Sequence, residues 1–231
     1  MFSWQIEPLQ KVKIFCGIPV TPSFQYIHLL VQEAWEKAWK PPETIRVFER
    51  SHGVASAREK LAEKFLSTDA SHFLLLDNDV VIMPDTIARL LQVNKPIVLG
   101  RYMEASQNRL PEAFHHSQRP WFRDAPIDFK KHEVFEFPKE DEDVILAGLG
   151  ILLIKREVFE KLDKPYFLYS SEYGHLDDYF LISEDFFLCL RIQEYYRKTK
   201  DPSFKITYVP DIWVWHMGEA IVGGDGQVMF V

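Results

Sequence analysis

The apolar run Phe73-Leu74-Leu75-Leu76 ends in Asp77-Asn78-Asp79, two carboxylates one residue apart. Side chains alternate along an extended backbone, so both acids are expected to point to the same side. Paired carboxylates at a strand end can hold a hard divalent cation against a diphosphate. Ligands of open α/β sheets also gather at the carboxyl ends of the strands. Asp-Asn-Asp is ordinary turn chemistry as well, so the two readings have to be separated by what accompanies the motif.

Three other places in the chain carry residues that could act with these acids. Ser183-Glu184-Asp185 puts two carboxylates where a helix begins. Ser183 suits the N-cap and acids favour the first turn through the helix dipole, so capping and catalysis are both open there. Trp213-Val214-Trp215-His216 sets a histidine just after a short apolar strand. Arg58, in Val54-Ala55-Ser56-Ala57-Arg58, opens a helix upstream of the paired acids. It is either a surface charge or a partner for a phosphate or an acid.

The elements that must position these residues follow from hydrophobic periodicity. Strands are predicted over Lys11–Val20, Thr44–Phe48, from Phe73 to Asp77 and over Pro96–Gly100. Helices are predicted over Phe24–Trp39 and Ser56–Leu66, with a third opening at Pro84-Asp85. This alternation argues for a mostly parallel central sheet flanked by helices, an α/β fold. Residues 101–143 read as irregular, with a hairpin near Val134–Phe137. Val144–Ile154 is one apolar stretch interrupted by Gly148 and Gly150, and glycine inside a strand marks a close backbone approach. A short helix over Arg156–Lys161, a longer one over Asp185–Lys198 and brief strands at Phe204–Val209 and Asp211–Trp215 complete the pattern. With no repeat or linker, the 231 residues are expected to form a single domain. Its nucleotide-binding half is expected over about 11–100, its acceptor and catalytic half over 101–218, and a flexible tail over 219–231.

Composition narrows the function. A hydrophobic share of 47% with 26% charged residues belongs to a globular protein. The net charge of −7 argues against a nucleic-acid binder. Cys16 and Cys189 are too few for a disulfide framework and are expected to be buried and reduced. The N-terminus shows no signal-peptide pattern and no apolar run is long enough to span a bilayer. The expectation is a soluble, cytoplasmic protein.

In their order and spacing, Phe73 to Pro84, Ala147 to Phe159, Ser183-Glu184-Asp185 and Val209 to His216 resemble the glycosyltransferase family 2-like enzymes of the GT-A fold. The resemblance implies transfer of a sugar from a nucleotide-diphosphate donor, UDP- or GDP-sugar, to an acceptor hydroxyl, by a single displacement that inverts the anomeric carbon. It implies that Asp79 coordinates Mn²⁺ or Mg²⁺, that His216 completes the metal site, and that Asp77 is the partner acid, facing the ribose or a metal-bound water. Asp185, or else Glu184, is implied to be the base. Pro19 and Thr21 fall where the family's nucleotide pocket begins, Arg58 near the donor phosphates, and Gly148 and Gly150 where the backbone approaches the sugar. Gly148-Leu149-Gly150 departs from relatives that carry a hydroxyl or an acid between the glycines. The acceptor motif of processive polysaccharide synthases is absent. Acceptor contacts are expected from residues 101–143 and from the loop Tyr169–Tyr179.

Two other functions compete with this reading. A nucleotidyltransferase making sugar nucleotides would share the sheet and the paired acids, but no basic, glycine-rich loop follows the first strand. A non-catalytic nucleotide- or carbohydrate-binding module would share the fold without turnover. Dehydrogenase and P-loop chemistry lack their glycine signatures.

Overall fold

The computed structural model describes residues 9–20, 27, 29–101, 113–115, 144–169, 183–217, 221–223 and 228–229. Thr21, the expected hairpin at 134–137 and most of the loop 169–179 lie outside the described residues.

The chain opens with β1 (Ile14–Val20), every residue of which is buried. It continues through α1 (Leu29–Lys37), β2 (Thr44–Arg50), α2 (Val54–Leu66), β3 (His72–Leu76), β4 (Val80–Val81), α3 (Thr86–Val93) and β5 (Ile97–Arg101). Next come β6 (Ala113–His115), β7 (Val144–Ala147), β8 (Ile151–Lys155), α4 (Arg156–Lys161) and α5 (Glu184–Thr199). The described chain ends with β9 (Ile206–Trp213), β10 (Trp215–Met217), β11 (Ile221–Gly223) and β12 (Val228–Met229).

Eight strands form the main sheet in the order β2-β1-β3-β8-β5-β9-β7-β6. Strands β2, β1, β3, β5, β9 and β6 run one way, and only β8 and β7 run against them. The mixed α/β sheet is therefore mostly parallel in strand direction, as expected. Strand β3 explains why its sequence is continuously apolar. Phe73 and Leu75 enter the core with α2, α4 and α5, while Leu74 and Leu76 enter the opposite core with α1 and α3. Both faces are covered, so no position is left for a polar residue. Gly17 in β1 is required by the same packing: a Cβ there would lie 2.8 Å from the Phe73 ring.

Three sequence expectations change. Val144–Ile154 is two strands, not one: β7 pairs with β9 and β6, whereas β8 sits between β3 and β5. The glycine-marked segment between them is a crossing from one part of the sheet to another. The two brief strands near the end merge into β9, whose pairing with β5 slips after Gly100, so that Arg101 sits opposite Trp213. The segment expected to be a loose tail contributes β11 and β12, which extend a second sheet ordered β12-β11-β10-β4. Short strands without a strong hydrophobic face carry little periodic signal, which is why the sequence pattern hid them.

Arg156 fastens the end of α2 to α4. Its Nε donates to the Ala70 carbonyl at 2.8 Å, and its terminal nitrogens donate to Thr68, Phe65 and Leu66 at 2.7, 3.0 and 3.3 Å. The guanidinium also lies 4.7 Å from the centre of the Phe65 ring. Arg156→Ala leaves these carbonyls without their charged donor, and should cost about 2–3 kcal/mol in urea denaturation. Removing the neighbouring exposed charge in Glu160→Ala should change stability by less than about 0.5 kcal/mol.

Candidate functional site

The site forms where β3 runs out. The Asp77 amide donates to the Gly150 carbonyl at 3.0 Å, and the Val80 amide donates back to the Asp77 carbonyl at 3.3 Å. That second bond closes a turn over Asp77-Asn78-Asp79, so the extended geometry expected of the pair does not apply. The turn aims the two acids at different partners.

Asp77 faces Arg58 of α2. Arg58 Nη2 donates to both carboxylate oxygens, at 2.7 and 3.0 Å. Arg58 Nη1 donates to Glu184 Oε1 at 2.8 Å and also contacts Asp185 Oδ1. The guanidinium is only 2% exposed. It therefore serves three carboxylates, brought from β3 and from the start of α5. Arginine suits this position because its planar fork carries donors in several directions and does not lose its charge on burial. Burial pushes the Asp77 carboxyl above the ordinary carboxylate range; the Arg58 charge opposes this and the nearby Asp79 charge adds to it.

At the start of α5 the cap is Ser183, whose side chain accepts from the Phe186 amide. Capping is thus met by the serine, and the two acids after it are turned to other partners. Glu184 is deeply buried, with 6% of its side chain exposed against 17% for Asp185. Glu184 also accepts the Tyr169 hydroxyl, and burial together with the Glu184 charge pushes that phenol up to about 12. Asp185 Oδ2 accepts from the Leu149 amide at 3.2 Å.

The segment Gly148-Leu149-Gly150 consequently braces both acids through its backbone. Its Leu149 amide holds Asp185, and its Gly150 carbonyl holds Asp77. Backbone groups carry no residue signature, so neither contact could be read from the sequence. The Glu184–Tyr169 bond was missed for a related reason: the two residues lie on separate segments and neither shows a spacing pattern.

Asp79 turns to the second sheet. His216 pairs with Val80 between β10 and β4, and the Met217 amide donates to the Asp79 carbonyl at 2.9 Å. His216 Nε2 is thereby set 3.4 Å from Asp79 Oδ2. The other oxygen, Asp79 Oδ1, is buried without a hydrogen-bond partner. A buried carboxylate oxygen without a donor is costly unless something positive meets it. Among the described residues no three His, Cys, Asp or Glu side chains form a ready-made cation site. Of the other expected site residues, Pro19 is buried in β1, and Thr21 is outside the described residues.

Two further findings bear on the setting. Cys16 and Cys189 are buried free thiols, both pushed up to about 12 by burial. Among the described residues no helix is long and apolar enough to cross a membrane.

Replacing Arg58 alone strands three buried or half-buried carboxylates. Arg58→Ala should destabilise the fold by about 3–5 kcal/mol at neutral pH. The deficit should shrink as pH falls towards 4. Without the cation, the folded-state pKa values of the acids rise above their unfolded values, so folding then takes up protons and acid favours the variant's folded state. Denaturation curves of both proteins at pH 7, 5.5 and 4 check the sign. A deficit that stays constant with pH would mean that the carboxylates do not depend on the guanidinium.

Comparison with known proteins agrees with this architecture. The protein A197 from STIV superposes with a TM-score of 0.63 at 18% identity, over 95% of this chain and 94% of that one, which shows a shared GT-A-type fold. Weaker likenesses are a CMP:2-keto-3-deoxy-manno-octonic acid synthetase complexed with CTP and a glycosyltransferase involved in glycosylating the major capsid of PBCV-1. The synthetase gives a TM-score of 0.45 and 13% identity, over 85% of this chain and 89% of that one. The capsid enzyme gives 0.33 and 16%, over 85% and 80%. Neither superposition is close enough to carry an argument. Among curated proteins none matches the sequence. The model of glycosyltransferase-like family 2 matches residues 29–221, and the chain, with its acids gathered at the end of β3 and the start of α5, belongs to that family.

Proposed function

We propose that the protein is an inverting, metal-dependent glycosyltransferase that moves a sugar from a nucleoside-diphosphate donor to an acceptor hydroxyl. The observation that carries this reading is the pairing of a partnerless, buried Asp79 oxygen beside His216 with a second acid group, Asp185, held through Arg58. One set of groups suits a diphosphate and its cation, and the other suits a proton acceptor. Family membership supports the class of reaction.

The residues present fit a divalent cation. Asp79 and His216 would hold Mn²⁺ or Mg²⁺, with donor oxygens and water filling the remaining positions, the arrangement such ions favour at phosphate sites. An imidazole ligand tilts the choice towards Mn²⁺. When bound, the ion neutralises the charge that develops on the departing diphosphate. Asp77, both of whose oxygens accept from Arg58, is placed beside the donor and in reach of its ribose or of a water, not as a main ligand of the cation. Pro19, near the end of β1, and the backbone of Gly148 and Gly150 border the same donor pocket in this reading, and Thr21 keeps the nucleotide contact that the family resemblance implies.

Of the two acids opening α5, we assign the base to Asp185. Glu184 is occupied by Arg58 and Tyr169 and is the more buried of the two. Asp185 takes the acceptor hydroxyl proton as that oxygen attacks the anomeric carbon and the bond to the diphosphate breaks. A single displacement from the face opposite the leaving group inverts the configuration. Nucleotide sugars are cytoplasmic metabolites, and two buried, reduced cysteines are in keeping with that compartment.

Thermal melting with UDP, GDP, CDP and dTDP, each with and without Mn²⁺, tests the donor side. One diphosphate should raise the melting temperature only with metal, and Asp79→Ala should abolish the shift. Saturation at about 100 times Kd corresponds to about 2.7 kcal/mol of stabilisation. Asp185→Asn should keep that shift while turnover of the matching nucleotide sugar falls by about 10²–10⁴. No shift with any diphosphate would rule the proposal out.

A further inference from the structure

We propose that Arg58 is a positioning residue for Asp185 and not a ligand of the donor phosphates. The inference rests on the assignment of Asp185 as base, and it changes the role that the family resemblance implied for Arg58.

Three features carry it. The side chain is 2% exposed, more buried than Asp77 and Asp185, which are 19% and 17% exposed. Its terminal nitrogens are already engaged: Nη2 by both oxygens of Asp77, and Nη1 by Glu184 and Asp185. A phosphate could reach the guanidinium only by displacing carboxylates that would then stay buried without a cation. Third, Asp185 has one further polar contact, the Leu149 amide on its other oxygen. The guanidinium contacts one oxygen and the Leu149 amide donates to the other, and the guanidinium is the charged one of the two.

The same fork joins the two halves of the site. Asp77 from β3 and Asp185 from α5 are 108 positions apart in the sequence, yet they share one cation. Asp77 lies beside the donor in our reading, so the spacing between donor and base is set by the span of a guanidinium. Lysine carries the same charge but cannot donate in two fixed directions at once.

Two variants test this. Arg58→Gln with Glu184→Gln removes one cation and one anion together, so the net charge of the cluster is unchanged and fewer carboxylates lose their cation than in Arg58→Ala. Arg58→Lys keeps the charge and loses the fork. Folding of both is confirmed by melting before any other measurement. The first readout is the Asp185 carboxyl signal in ¹³C NMR titration, which needs no turnover. Its midpoint should lie about 0.5–1 unit higher in the double variant than in Glu184→Gln alone, a comparison that isolates the lost cation, because a neighbouring cation favours the ionised form. The second readout is calorimetric affinity for whichever of UDP, GDP, CDP or dTDP binds the wild type with Mn²⁺. It should stay within about twofold in Arg58→Lys, while kcat falls by about tenfold or more because the base is misplaced. An unmoved Asp185 titration would overturn the proposal. So would a diphosphate affinity weakened tenfold with kcat retained, the signature of a phosphate ligand. If the wild type binds no diphosphate, the transferase reading fails, and the NMR titration still decides the part played by Arg58.

Discussion

A single buried cation organises this end of the sheet. Arg58 is carried by α2, and the carboxylates it meets come from β3 and α5. Burying a guanidinium is tolerable only when its donors are met by acids, and burying those acids is tolerable only beside the guanidinium. Each element therefore constrains the others. The helix has to lie against β1 and β2 with Ala57, Leu61 and Phe65 inward, so that Arg58 emerges at the level where β3 ends. Such a cluster adds little net stability over an apolar core of the same shape. What it supplies is placement, because few other arrangements of these three elements would satisfy all four charges.

The backbone does the remaining positioning. Gly148-Leu149-Gly150 lies between β7 and β8, where the chain leaves one part of the sheet for another. In that crossing it presents an amide to Asp185 and a carbonyl to the Asp77 amide. A strand running straight through would have spent both groups on sheet neighbours. The second sheet has an analogous part: pairing of β10 with β4 places His216 beside Asp79, and the Met217 amide pins the Asp79 carbonyl. The two acids of one short motif thus belong to different environments. Asp77 is part of a buried ion cluster, and Asp79 stands beside an imidazole with one oxygen unmet. In the proposed reaction that division separates the holding of the cation from the alignment of donor and base.

Residue type and periodicity determined much of this protein. The all-apolar β3, with acids at its end, announced a strand buried on both faces, because nothing polar fits between two helical layers. The helices expected over 56–66 and 156–161, and the acids after Ser183, were legible from the same patterns, as was a mostly parallel α/β sheet. The family was legible from the order of four short segments. Tertiary structure decided what these residues face. The turn over Asp77-Asn78-Asp79 parts two acids that a strand would have aligned. The split of the stretch 144–154 and the strands after Met217 depend on pairing with distant partners, which local hydrophobic pattern does not encode. Arg58 shows the difference most clearly. Its sequence neighbourhood allows a surface charge, a phosphate ligand or an acid's partner, and only the packing of α2 against the sheet places it beside three carboxylates. The reason is physical: a charge is defined by its partners and its distance from water, and both are properties of the folded chain.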